Sequence, residues 1–337
     1  MAYKVIDLHC DSVFALMDGK DLRKPVEGVH VDLPRLRKGN VALQVFAVYV
    51  PSTLEGDVFH YTMERLDAID TFSQSHDLLT PVETAAELRH VIAMEKTGIM
   101  AAVENGIAIE NSLEKLEKLR RRKVRIMTLV HFQHLPWIES STGNEPFCPN
   151  GERSRGLSRF GEQVVDAMCD FGIIPDLSHA SENAFWDVIR RTKKPVIASH
   201  SCAFNLCASA RNLKDDQLKA LGDSGSLVGV NFYSGFLSES FRQKYEKMLD
   251  SLDSASIVDS APQSIIADHI DYMVKIAGED CVALGSDFDG IPAAPQGVTG
   301  SDFYPFLEAE LRSRGYTEKR IAKIFNENFL RVLEAWD

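Results

Sequence analysis

Val5-Ile6-Asp7-Leu8-His9-Cys10-Asp11 closes a short apolar run with an imidazole and a carboxylate two residues apart. On an extended chain residues i and i+2 point the same way, so His9 and Asp11 would share one side. Cys10 would face the other, into the wall of the fold, as a small packing residue. Imidazole nitrogen and carboxylate oxygen together suit a divalent cation. Alone, a His-x-Asp is weak evidence, because a histidine at a strand end is commonly a hydrogen-bonded structural residue. Its meaning comes from the rest of the chain.

Beyond this stretch, short apolar runs alternate with amphipathic ones. Strands are expected at Lys4 to Leu8, Ala42 to Val48, Ile99 to Val103, Arg125 to Val130, Ile173 to Leu177, Val196 to Ser199, Leu227 to Val230 and Val282 to Gly285. Helical spacing covers Val58 to Ser75, Glu83 to Lys96, Ser112 to Arg122, Gly161 to Phe171, Glu182 to Arg191, Asp215 to Leu221 and Pro262 to Ala277. Eight strands with helices between them suggest an α/β fold, a (β/α)8 TIM-type barrel. Thr317 to Trp336 reads as two extra C-terminal helices, broken near Asn326 and Asn328. No linker, repeat or composition shift marks a boundary, so residues 1–337 are expected to form a single domain.

The 337 residues carry a net charge of −12, with 45% hydrophobic and 26% charged residues. Such acidity disfavours nucleic acid or an anionic membrane surface as partner. No apolar run approaches the roughly 18 residues a membrane span needs. With Met1 as the natural start, a leader does not fit before the first strand, and a cytoplasmic location is the expectation. Cys10, Cys148, Cys169, Cys202, Cys207 and Cys281 are scattered, without paired spacing, and read as reduced thiols.

The decisive pattern lies at the carboxyl end of each expected strand. His9 and Asp11 stand after the first, Glu104 after the third, His131 after the fourth, His179 after the fifth, His200 after the sixth, Asn231 after the seventh and Asp287 after the eighth. In a barrel these positions converge on one mouth, where active sites of this fold lie. Each has a bland reading: Glu104 as a helix cap, His179 and His200 as satisfied core histidines. Convergence of the set favours function. Three histidines, an aspartate and a glutamate, with no cysteine, suit zinc or another borderline divalent cation. Five ligands are too many for one catalytic zinc with an exchangeable water, whereas two ions sharing a carboxylate would use them all. Glu104 is the natural bridge. A water or hydroxide between two ions is acidified towards neutrality, which implies hydrolysis.

These residues resemble the membrane (renal) dipeptidases of the amidohydrolase superfamily. The matching motifs are Asp7-Leu8-His9-Cys10-Asp11, Val103-Glu104-Asn105-Gly106, Thr128-Leu129-Val130-His131 with Pro136-Trp137, Asp176-Leu177-Ser178-His179, Ser199-His200-Ser201, Arg211-Asn212 with Asp215-Asp216, Val230-Asn231-Phe232-Tyr233 and Gly285-Ser286-Asp287-Phe288-Asp289-Gly290. They occur in the family's order across essentially the whole chain. The resemblance implies that His9 and Asp11 bind one Zn2+, His179 and His200 a second, and Glu104 both. It also carries His131, Arg211 and Asp287 as catalytic or substrate-binding positions. His131 would stabilise an oxyanion, Arg211 would grip a C-terminal carboxylate, and Asp287 would pass a proton to the leaving amine. The implied reaction is hydrolysis of a small dipeptide, with a D-residue tolerated at the C-terminal position, by a homodimer. A related amidohydrolase of N-acyl amino acids or lactones is the alternative. A non-enzymatic metal or peptide binder ranks last, because every ligand and Asp287 are present.

Several neighbours carry structural readings instead. Asp289 is expected to fix its loop, and His134, three residues after His131, to shape the pocket or stand exposed. His30, His60, His76, His90 and His269 are expected at the surface or in packing. Asn231 and Tyr233 could line the substrate site or serve as buried polar anchors. Asn105 stands where the family usually has glycine, and Phe132 to Leu135 depart from its usual polar residues. The chain ends in a charged helix, so membrane attachment is not carried over. Ser238 to Ala261 could form a lid, a dimer contact or a solvated helix.

Overall fold

The computed structural model describes residues 3–149, 155–251 and 260–337. Nine parallel strands form one sheet: β1 Val5–Cys10, β2 Val41–Tyr49, β3 Leu79–Pro81, β4 Thr97–Glu104, β5 Ile126–Thr128, β6 Ile174–Asp176, β7 Ile197–Ser201, β8 Leu227–Val230 and β9 Val282–Leu284. The order runs from β2 through β1, β9, β8, β7, β6 and β5 to β4, and β2 pairs again with β4. That pairing closes an eight-stranded barrel and removes its edges. The eight expected strands are the barrel strands. The short β3, not anticipated from sequence, pairs only with β4.

Every barrel strand contributes to one apolar cluster, including Ile6, Leu8, Leu43, Val45, Met100, Ile126, Ile174, Ile197, Leu227 and Ala283. This is the filled interior. A second, larger cluster lies between the strands and the surrounding helices, where Phe46 meets Phe72 at 5.5 Å between ring centroids. The helices form where the apolar spacing predicts, at Val58–Ser73, Ala85–Ala93, Leu113–Arg121, Arg159–Phe171, Glu182–Arg191, Asp215–Asp223 and Ile265–Ala277. Side-chain caps set several starts: Thr84 and Glu87 form a capping box, and Ser158 and Ser181 each accept from a backbone N–H three residues on.

The tail forms the two expected α-helices, Glu318–Ala322 and Asn328–Glu334, and the interruption near Asn326 and Asn328 is a π-helical turn, Lys323–Glu327. Tertiary hydrogen bonds account for it: Asn326 donates to the Lys4 carbonyl at 2.7 Å, and Asn328 to those of Glu279 and Val282 at 2.8 and 2.9 Å. Phe329, Leu333 and Trp336 thereby join the interior cluster. Short helices Val13–Met17, Leu33–Lys38 and Ser234–Leu237, and the helix Tyr304–Ser313, were not anticipated from sequence, although the Asp32 cap with Pro34, and Pro305, mark the starts of two of them. The first half of the Ser238 to Ala261 stretch is a helix, Glu239–Ser251, on which Arg242 pairs with Glu239 and Glu246. Residues 252–259, which belong to the stretch read as a lid, a dimer contact or a solvated helix, lie outside the described residues.

Candidate metal centre and substrate cleft

Two β-bulges aim the first and sixth barrel strands at the mouth. Ile6 pairs with Leu43 and Cys10 with Phe46, so four steps on β1 match three on β2. The extra residue reverses the alternation, and His9 can face the mouth although Leu8 already faces inward. Cys10 then packs outward beside Phe46, as anticipated. Likewise Ala198 to Ser201 on β7 spans only Val228 to Val230 on β8, with the bulge at Ser199 and His200. Strained backbone adds to the positioning. Asn105, directly past β4, and His179 and Asp287, three residues past β6 and β9, have φ of 92°, 70° and 62°. Non-glycine residues occupy that region only when surroundings hold them there.

The eight residues singled out by sequence come together around one mouth. His9 Nε2 lies 3.6 Å from Asp11 Oδ2 and 3.7 Å from Glu104 Oε2. Glu104 Oε1 lies 3.1 Å from His179 Nε2 and 3.5 Å from His200 Nε2, and the two imidazole nitrogens are 3.0 Å apart. Ligand bonds of about 2.1 Å at tetrahedral angles put donor atoms roughly 3.4 Å from one another. Both groups have that spacing, and the two oxygens of Glu104 serve one group each. His9 Nε2, Asp11 Oδ1 and His179 Nδ1 are buried without hydrogen-bond partners. Buried orphan donors and acceptors of this kind call for a partner of another sort. With the clustering of the His and carboxylate donors, the residues present therefore fit divalent cations. His131 Nε2 is also 3.6 Å from Glu104 Oε1, so it stands at the rim of the same cluster.

Electrostatics agree with the geometry. Burial holds His179 and His200 well below the usual imidazole range, helped by the Arg211 charge, and leaves them neutral as ligation requires. Burial, and then Arg211, pushes His131 down to about 3. At His9 burial acts the same way, but the Glu104 and Asp11 carboxylates outweigh it and raise the imidazole well above its ordinary value. Burial and Glu104 raise Asp11. Asp287 is pushed up to about 7 by burial and by Asp11 and Glu104, against the pull of His9. Three crowded carboxylates short of positive charge form a site that cations would relieve.

Around this cluster lies a cavity of ≈ 580 Å³. Arg211, 4% exposed, donates to the His200 carbonyl at 3.0 Å and stacks under Phe236 at 5.3 Å. Its Nε is buried without a partner. Asn231 donates to Asp287 Oδ2 at 2.8 Å and accepts from the Tyr233 N–H, so it anchors the proton-transfer candidate and its own loop. At Gly290 a Cβ would lie 2.0 Å from Asp11 Oδ2 and 2.7 Å from Asp287 Oδ1, so only glycine lets that loop close over the carboxylates.

The bland readings also find their places. Asp289 accepts from Ser12 Oγ at 2.5 Å and from the His30 N–H at 2.6 Å, which fixes its loop. His134 braces its loop between the Ser140 N–H and the Glu145 carbonyl. His60, His76 and His90 are exposed, His269 is buried, and all six cysteines are unpaired. Sequence reasoning passed over Phe14, Tyr49 and Phe236 as cavity walls, and Phe132 it noted only as a departure. Rings at Phe14, Tyr49, His131, Phe132 and His179 touch in succession. Phe14 stands shortly after Asp11 and Phe132 directly after His131, a proximity that would have flagged both. Tyr49 and Phe236 have no ligand residue so near in the chain.

The class is thereby set: a (β/α)8 barrel whose carboxyl-end mouth holds a buried histidine and carboxylate centre suited to divalent cations. The chain belongs to the membrane dipeptidase family, peptidase family M19, whose model matches residues 1–337. Mouse dipeptidase 3 is 32% identical over 303 residues, 89% of this chain and 57% of the relative's length. Dipeptidase aclJ of Aspergillus oryzae is 31% identical over 313 residues, covering 90% of this chain and 69% of that protein. Among solved structures, the dipeptidase AC metallopeptidase of family M19 is 28% identical with a TM-score of 0.85, covering 100% of this chain and 99% of its own. A Rhodobacter sphaeroides metallopeptidase bound to a phosphinate mimic of L-Ala-D-Ala is 27% identical with a TM-score of 0.84, both chains covered in full at 100%. Among the described residues no helix is long and apolar enough to cross a membrane.

Proposed function

We propose that the chain is a binuclear zinc dipeptidase, acting as one domain over residues 1–337. The observation that carries this reading is Glu104, with one oxygen towards His9 and Asp11 and the other towards His179 and His200. The dipeptidase relatives and the dipeptide mimic in the Rhodobacter sphaeroides structure support the substrate class. His9 and Asp11 would hold one ion, His179 and His200 the other, with Glu104 shared. Two ions held there supply an acidified water as nucleophile at neutral pH.

The chain's own residues supply the rest. Arg211 receives the substrate's C-terminal carboxylate on its spare donors and sets the register of the scissile bond, which restricts the substrate to short peptides. Neutral His131 offers a ring N–H to the carbonyl oxygen as negative charge develops on it. Asp287, aligned by Asn231, takes the proton of the attacking water and delivers it to the leaving nitrogen as the C–N bond breaks. Phe14, Tyr49, Phe132 and Phe236 offer apolar walls to the substrate side chains. By the same family resemblance the enzyme is a homodimer that tolerates a D-residue at the C-terminal position.

Hydrolysis of L,L and L,D dipeptides, N-acyl amino acids and lactones, with bound zinc counted before and after chelation, tests the reading. Dipeptide turnover that tracks two ions, vanishes with chelator and returns with zinc is expected. Activity confined to acyl amino acids or lactones would move the assignment to a neighbouring amidohydrolase, and inertness at full occupancy would refute an enzymatic role on this panel.

A further inference from the structure

Beneath the centre lies a buried chain of polar groups that the reaction itself does not use. Asp176, fully buried on β6, accepts four hydrogen bonds. Its Oδ1 takes the backbone N–H groups of Ser178 and Ser199 at 3.0 and 2.8 Å, and its Oδ2 takes the hydroxyls of Thr128 and Ser199 at 2.6 and 2.5 Å. Ser199 Oγ in turn lies 2.7 Å from His200 Nδ1. A serine hydroxyl has one proton. The carboxylate takes it, so the serine oxygen can only accept from His200, and Nδ1 must carry the ring proton. Nε2 is then left with its lone pair directed at the Glu104 and His179 side of the centre. His179 has no such support, since its Nδ1 is buried without a partner.

We propose that Asp176 and Ser199 are positioning residues that lock the His200 tautomer and ring orientation, and so set the affinity of the ion on the His179 and His200 side. This rests on the binuclear reading above. The β7 bulge at Ser199 and His200 fits the role, because Ser199 Oγ and His200 Nδ1, on adjacent residues that strand alternation would point apart, meet there at 2.7 Å. Partners of this kind behind a ligand histidine typically change metal affinity by about 10- to 100-fold. The His9 ring packs against that of His200 with centroids 3.9 Å apart, but the hydrogen bonds from Asp176 through Ser199 run to His200, so the greater loss falls on the ion of the His179 and His200 side.

The test is zinc affinity of the purified full chain, by competition with a chelator of known strength, for wild type and for Ser199→Ala, Ser199→Thr and Thr128→Val. Thr128→Val deletes a hydroxyl from the same Asp176 oxygen without touching His200. One ion weakened about 10- to 100-fold in Ser199→Ala, with Ser199→Thr and Thr128→Val near wild type, supports the proposal. Equal affinities in Ser199→Ala and wild type, or equal losses in Ser199→Ala and Thr128→Val, overturn it alone. A wild type that binds no ion overturns the binuclear reading as well. Independently of any variant, nitrogen NMR of the metal-free wild type should show the His200 ring proton on Nδ1, and a proton on Nε2 refutes the relay.

Discussion

Replacing Arg211 by methionine isolates the proposed carboxylate contact. Methionine keeps an unbranched stem of similar length under Phe236 and removes the guanidinium, which packs 5.3 Å from that ring. Of the five N–H donors of an arginine, one goes to the His200 carbonyl at 3.0 Å and one reaches Ser201 Oγ at 3.5 Å. The remainder, including the buried and unpartnered Nε, are free for a ligand. Losing one partner of a buried, charge-assisted pair costs about 2–5 kcal/mol. A middle value of about 3 kcal/mol corresponds to a fall of roughly 150-fold in kcat/KM, since each 1.36 kcal/mol is tenfold. The assay compares a dipeptide with its C-terminal amide, which has no carboxylate. The dipeptide should lose about 100-fold or more and the amide only a few-fold, so the variant should prefer the amide more than wild type does. Equal losses on both substrates would refute the carboxylate role and leave Arg211 as a packing residue.

Asp287→Asn retains the contact geometry with Asn231 but cannot take a proton, so kcat should fall by roughly 10²- to 10⁴-fold with KM changed only a few-fold; an equal rise in KM alone would argue for a binding role. Phe132, 51% exposed on the cavity wall, should contribute about 1–2 kcal/mol to dipeptides with bulky apolar side chains. Phe132→Ala should then lower their kcat/KM roughly 5- to 30-fold while sparing Gly-Gly, and a uniform loss would contradict this. His269 accepts from the Ala203 N–H at 3.1 Å and faces the Leu237 carbonyl at 2.9 Å, and burial pushes it down to about 4. Unfolded chains protonate it below about 6.5 while the folded one does not, so its contribution to stability is lost as pH falls from about 6.5 through 4, by about 3 kcal/mol at most. Denaturant titrations should show a shallower acid decline in His269→Gln than in wild type, and identical slopes would dismiss this role.

Much of the site was legible because barrel topology sends every strand's carboxyl end to the same place. Once eight apolar runs alternate with helices, His9, Asp11, Glu104, His179, His200 and Asp287 need only stand at strand ends to meet. His131, His179 and Asp287 each stand three residues past β5, β6 and β9, in the loops that rim the same mouth. Arg211 is adjacent to no strand end and carries no periodic signal; only the family resemblance pointed to it. Asn105 shows a different gap. Its φ of 92° suits the glycine usual there, and its side chain compensates by donating to the Val50 carbonyl at 2.8 Å and Ser52 Oγ at 3.0 Å. Those acceptors lie more than fifty residues away, beyond any local pattern.

Alternation, length and donor chemistry are local properties, and from them the chain alone dictated the barrel, the mouth at which its functional side chains gather and the kind of ion they suit. Tertiary packing settled the rest. Bulges opposite β2 and β8 turned His9 and His200 to face the centre, and long-range hydrogen bonds gave the expected tail break the form of a π turn. Packing gave Glu104 one oxygen for each group of ligands and placed Asp176 and Ser199 behind His200. Such details depend on register between strands and on partners distant in the chain, and a pattern of residue types specifies neither.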